Sequence, residues 1–108
     1  RYLGGEPEKH MFFDAPLIIL ISDIRDNYMR LADAGCAMEN MFLAARSHGI
    51  GSVWINQFSP ICDKLEVIEK FETIGIAKNR VVTSLGAFGY PDETPQPKKL
   101  ISAVHYLR

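Results

Sequence analysis

The sequence predicts an α+β domain of α/β-like order with one long, buried helix at its centre. Apolar, β-rich runs over 15–21, 52–55 and 80–88 alternate with two segments of helical periodicity. The resulting order is strand, long helix, strand, helix, strand, tail, in which each strand–helix–strand unit buries a sheet face under its helix. The size and balance of the chain agree, since 108 residues with 47% hydrophobic content and a net charge of −1 suit one globular domain spanning 1–108.

Residues 1–14, with Gly4-Gly5 and Pro7, form an irregular lead-in. Ala15-Pro16-Leu17-Ile18-Ile19-Leu20-Ile21 is continuously apolar and entered through a proline, as expected of a core strand. Asp26 or Asn27 is placed to cap the helix that follows, from about Tyr28 to His48. Ala34, Ala37, Met38, Met41, Phe42 and Ala45 fall on one helical face, and Cys36 and Leu43 widen it. A helix apolar over so much of its circumference is expected to be buried. Gly49 stands at the position of a left-handed C-terminal cap, and His48 suits the negative end of the helix dipole.

Ser52-Val53-Trp54-Ile55 follows at once as a short strand that stops on the polar pair Asn56-Gln57. Ser59-Pro60 is an N-cap with proline at the first helical position, and Leu65, Ile68, Glu69 and Glu72 continue an amphipathic helix to about Gly75. Residues 80–88, RVVTSLGAF, are the third strand. The proline-rich GYPDETPQPKK is an extended arm, and LISAVHYL is apolar enough to dock as a short helix or strand. Three strands under two helices leave edges and a face uncovered, so further cover is expected from an upstream segment or a second subunit.

Several function classes are disfavoured. A near-neutral chain has no basic footprint for nucleic acid or an anionic membrane, and APLIILI is far shorter than a membrane span. The start on Arg1, without an initiator Met or signal pattern, suggests a processed or excised segment of a cytoplasmic protein. Cys36 and Cys62 lie far apart without a CxxC spacing and are expected to be reduced, packed thiols. The sequence has no GxSxG elbow, Walker loop or HExxH, and no catalytic side chain stands out. His10, His48 and His105 have no acidic or Cys partners at ligand spacing, so no metal site is expected. For Glu39-Asn40 two readings stay open: Glu39 in solvent with Asn40 satisfying a backbone group, or Asn40 at a ligand or subunit seam.

The segment ADAGCAMENMFLAARSHGIGSVWI resembles the central helix and following strand of the nitroreductase family of flavin mononucleotide (FMN)-dependent oxidoreductases. It carries the family's D-x-G-x-A-x-x-N-M-x-L-A-A pattern, followed by G-[IL]-G-S-x-W. DAPLIILIS resembles the preceding core strand, and SLGAFGYPDETPQPKK the last strand, the G-Y-P turn and the basic tail. The three blocks stand in the family's order and cover the C-terminal part of its domain. The Arg- and Ser-rich opening that grips the flavin phosphate has no match in these 108 residues.

The resemblance implies a partial three-layer sandwich with a mixed sheet, completed by homodimerisation, with the flavin at the subunit interface. It places Trp54 and Ile55 beside the flavin ring, Asn56 and the Gln57 N–H near its pyrimidine edge and N5, and Lys98 and Lys99 at the phosphate-binding tail position. The implied activity is hydride transfer from NAD(P)H through FMN to a nitroaromatic or quinone-like acceptor, with the protein placing and tuning the cofactor. The alternative is a truncated, non-catalytic dimerisation or structural module of the same fold without flavin.

Overall fold

The computed structural model describes residues 12–56, 58–99, 101 and 103–107. Strands β1 (Leu17–Ile24), β2 (Gly51–Trp54) and β3 (Arg80–Gly89) form one sheet in the order β1-β3-β2. Helix α1 (Arg30–Ser47) joins the first two strands, and a 3₁₀ turn (Ser59–Ile61) and helix α2 (Leu65–Thr73) join the last two. The last strand in sequence takes the centre because it is the most apolar: Val81, Val82, Leu85, Ala87 and Phe88 are all buried.

Both ladders are antiparallel, with Leu17 opposite Phe88, Ile24 opposite Arg80, Gly51 opposite Gly89 and Trp54 opposite Gly86. The mixed pairing expected of the sheet is therefore not formed among the described strands. β1 and β2 do run in the same direction, but β3 lies between them. The β1–β3 register shifts between Ile21, opposite Ser84, and Ser22, opposite Val82. Thr83 is the extra residue of this bulge, and its Oγ1 donates to the Ile21 carbonyl at 3.1 Å.

Two apolar clusters, one on each face of the sheet, make three layers. Ile18 and Leu20 of β1 pack with Val82, Leu85, Ala87, Ile55, Phe58 and the α2 residues Val67 and Phe71. Ile19 and Ile21 pack with Phe88 and with Met38, Met41, Phe42 and Ala45 of α1. The alternation along β1 places α2 and α1 on opposite faces. That double cover explains why β1 reads as an uninterrupted apolar run rather than an alternating one.

The helices differ from expectation at their starts and on one face. Helix α1 begins at Arg30, and neither Asp26 nor Asn27 is its N-cap, a position held by Met29 without a side-chain bond. Asn27 instead braces the approach. Its Oδ1 accepts from the Met29 N–H at 3.0 Å and its Nδ2 donates to Asp23 at 2.8 Å and Asp33 at 3.2 Å. Ala34, Met38 and Ala45 are the buried stripe of α1, whereas Cys36, Leu43, Glu39 and Asn40 are exposed. Among the described residues the helix is thus covered on one side only, by the single sheet it rests on.

Ser59-Pro60 starts the 3₁₀ turn and not a helix, and α2 starts at Leu65. Both helices end as the glycines predict. Gly49 has φ 72° and Gly75 has φ 98°. The Ile50 N–H bonds to the Ala45 carbonyl and the Gly49 N–H to that of Arg46, a pairing repeated by Ile76 with Phe71 and Gly75 with Glu72. The described part of the arm after Gly89 forms no helix or strand and is exposed. In the described part of 101–107 no helix or strand forms and the side chains are exposed, so the expected docking is not made within this chain.

Candidate functional site

The cap at Gly49 sends the chain back along the sheet after only Ile50, and β2 pairs with β3 as far as Trp54 opposite Gly86. One more backbone bond, from the Ile55 N–H to the Leu85 carbonyl at 2.9 Å, keeps the chain beside β3. Ile55 turns its side chain into the α2-side core at 2% exposure. The chain then departs, as the Asn56 carbonyl accepts from the Ser59 N–H at 3.2 Å and Phe58 becomes buried. Where the paths diverge, Trp54, Asn56 and Ser59 face Val82–Leu85 across an open recess of about 20 Å³.

Every residue lining this recess is uncharged. Trp54 remains 39% exposed, and its ring is held edge-to-face by Phe42, with centroids 6.4 Å apart and planes at 74°. Phe42 in turn leans on Phe88 at 5.8 Å, which ties the indole to the α1-side core. Ser84 lines the recess at 4% exposure, and its Oγ is closed off from solvent with no hydrogen-bond partner among the described residues. The site thus combines an aromatic wall with neutral polar groups. Its volume suits one small polar group and is far less than a tricyclic ring occupies.

Of the residues expected at a cofactor site, Trp54, Ile55 and Asn56 come together at the recess, Ile55 with its side chain in the core. Lys98 and Lys99 stand exposed on the arm and do not line the recess. Gln57 and His10 lie outside the described residues. Sequence reasoning missed Thr83 and Ser84, whose only signal was a polar pair inside an otherwise apolar strand.

A second recess lies beneath Arg25 and Arg80, against Cys62 and Phe71. Its cations are already engaged: Arg25 bonds Asp63 and the Lys78 carbonyl, and Arg80 bonds the Ser22 hydroxyl and carbonyl. Burial, with the Asp63 carboxylate beside it, pushes the Cys62 thiol above its ordinary value of 9.0. The raised value leaves less thiolate at neutral pH, so Cys62 is not an activated nucleophile. Among the described residues no group of three or more His, Cys, Asp or Glu could hold a metal ion, and no helix is long and apolar enough to cross a membrane.

A profile of the nitroreductase family matches residues 4–90. The chain belongs to the nitroreductase family. A protein of Archaeoglobus fulgidus described as an NADH dehydrogenase/NAD(P)H nitroreductase is 40% identical over 65 residues, covering 60% of this chain and 36% of that protein. One of the same description from Methanothermobacter thermautotrophicus is 31% identical over 104 residues, covering 87% of this chain and 52% of the relative. Among solved structures, a nitroreductase from Bacteroides fragilis with bound FMN superposes with a TM-score of 0.81 at 32% identity, over 94% of this chain and 56% of that one. The expected fold class is borne out, as a partial nitroreductase fold. This chain spans about half the length, or less, of these relatives.

Proposed function

We propose that this chain forms one wall of an FMN site in a homodimeric, cytoplasmic oxidoreductase that passes hydride from NAD(P)H to nitroaromatic or quinone-like acceptors. The observation that carries this reading is the uncharged recess at the end of β2, where a braced, partly exposed Trp54 stands beside an exposed Asn56. A flat, neutral, hydrogen-bonding ring edge fits this combination, and a phosphate does not.

FMN, when bound, supplies the two-electron chemistry. Trp54 gives the ring an apolar flank and excludes water, while Phe42 fixes the indole. Asn56 offers an exposed amide to the ring's polar edge, with the backbone of Gln57 as the next donor in the chain. Lys98 and Lys99 supply positive charge for the phosphate from the arm, as point charges without the fork of an arginine. No acid–base side chain is needed, since hydride moves between two ring systems and the protein's task is placement.

Titration of the purified chain with FMN, followed by flavin absorbance and by quenching of Trp54 emission, tests the reading. The expected result is saturable binding, bleaching of the bound flavin on adding NADH or NADPH, and recovery of colour with a quinone. Absence of binding at about 1 mM FMN would sink it for this chain. The small volume of the recess favours a second reading, a nitroreductase-fold module without flavin, and that outcome would support it.

A further inference from the structure

We propose that Arg25 is a positioning residue of this site, holding in place the chain that brings Asn56 and Ser59 to the recess; this rests on the flavin reading above. Arg25 directly follows β1 and grips both ends of the α2 segment. Its Nη1 donates to the Asp63 carboxylate ahead of α2, and its Nε donates to the Lys78 carbonyl behind α2 at 3.2 Å. Its backbone N–H donates to the Asn79 carbonyl at 2.9 Å, which fixes the root of the side chain.

Asn56 and Ser59 are exposed polar residues that line the recess. The hydrogen bonds around them are short-range, from the Ser59 N–H to the Asn56 carbonyl, the Ile61 N–H to the Phe58 carbonyl and the Cys62 thiol to the Ser59 carbonyl. Such bonds shape a loop without attaching it to the sheet. Phe58 is buried in the core, but α2, which continues the loop, has no buried residue. The Arg25 fork adds a polar attachment at Asp63, next to the cysteine whose thiol reaches back to Ser59. A guanidinium serves two acceptors in fixed directions, whereas an ammonium is a single point charge. The pair is open to solvent, with side-chain exposures of 32% for Arg25 and 69% for Asp63, so it adds little to global stability. Its effect falls on where the loop sits.

The test compares the full chain with Arg25→Ala and Arg25→Lys, using FMN and riboflavin as probes. Riboflavin carries the same ring without the phosphate. Arg25→Ala is expected to melt within a few degrees of the wild type and to bind both flavins roughly three- to tenfold more weakly, by the same factor. Amide hydrogen exchange in the flavin-free variant is expected to speed up at 58–64 and to stay unchanged in β3. Arg25→Lys, which keeps the charge without the fork, falls between in both measurements. A loss confined to FMN would overturn the assignment, since Arg25 would then act on the phosphate. Unchanged binding of both flavins, or unchanged exchange at 58–64, would overturn it and leave the flavin reading standing. A melting temperature lowered by more than about 10 °C would also overturn it, since the role would then be structural. Failure of the wild type to bind either flavin overturns both.

Discussion

The sulfur of Met38 lies 2.8 Å from where a Cβ on Gly86 would sit, and Cε2 of Phe88 lies at the same distance. Helix α1 and the central strand therefore touch through a glycine, and Met38 fills the space at 0% exposure. Gly86→Ala is expected to destabilise the fold by about 1–2 kcal/mol, the overpacking cost outweighing the gain from a stiffer unfolded chain. Met38→Ala is expected to cost about 2–5 kcal/mol through the cavity it leaves. Because the added methyl group enters space the thioether vacates, the double variant should lose less than the sum of the two. Chemical denaturation of the four proteins measures this coupling, and strict additivity would contradict the contact.

Gly49 and Gly75 end α1 and α2 with positive φ, whereas Gly35 lies within α1 with nothing within 4 Å of a Cβ position. The same substitution should have opposite signs at these places. Gly49→Ala and Gly75→Ala are expected to cost about 1–2 kcal/mol each, and Gly35→Ala to add about 0.5–1 kcal/mol. Thermal melts of the three variants check the pattern. A stabilising change at Gly49 would show that the tight helix-to-strand connection is not strained by a side chain.

These contrasts mark what the sequence could and could not reveal. The caps at Gly49 and Gly75, the span of β3 and the end of β2 near Trp54 are local consequences of periodicity and turn chemistry, and each stands within a residue or two of its expected place. The Thr83 bulge was not legible, because it depends on register with β1 some sixty positions earlier in the chain. Ser84 was hidden for the same reason, since its burial beside Asn56 is a product of the fold and not of its neighbours in sequence. Periodicity also shows that the apolar face of α1 is wide, but not how much of it this chain covers. Leu43 and Cys36 were therefore expected inside and are outside.

Cys62 is half-buried, its thiol donates to the Ser59 carbonyl at 3.1 Å, and burial followed by the Asp63 charge raises its pKa. The folded protein holds this proton more tightly than the unfolded chain does. The contribution to stability is therefore complete below the ordinary value of 9.0 and is lost as pH rises through the higher folded value. Two outcomes follow from the contrast with Cys36, which is exposed. Iodoacetamide at pH 7.5 should label Cys36 several-fold faster than Cys62, as read by peptide mass spectrometry. Melting temperatures measured from pH 8 to 10.5 should fall more steeply for the wild type than for Cys62→Ala. Equal labelling of the two cysteines would contradict the buried, protonated thiol.

Leu43 is 61% exposed, and Cys36 lies on the same stripe of α1, turned away from the sheet that covers Met38. β1 and β2 both have an unpaired outer edge among the described residues, and Val104, Tyr106 and Leu107 are exposed on the C-terminal segment. Surfaces of this kind are covered in stable proteins, and in the proposed homodimer a second copy covers them. Sedimentation equilibrium of the wild type should therefore give a dimer, with a melting temperature that rises with protein concentration. Leu43→Glu introduces a charge at the centre of the stripe and should raise the dimer dissociation constant by at least about tenfold, equivalent to about 1.4 kcal/mol. Glu69→Gln, exposed on α2 across the sheet from α1, should leave it within about twofold, since it lies outside the proposed contact. A wild type that sediments as a monomer at about 100 μM would refute the dimer, and dissociation by Glu69→Gln instead of Leu43→Glu would place the contact on the α2 side of the sheet.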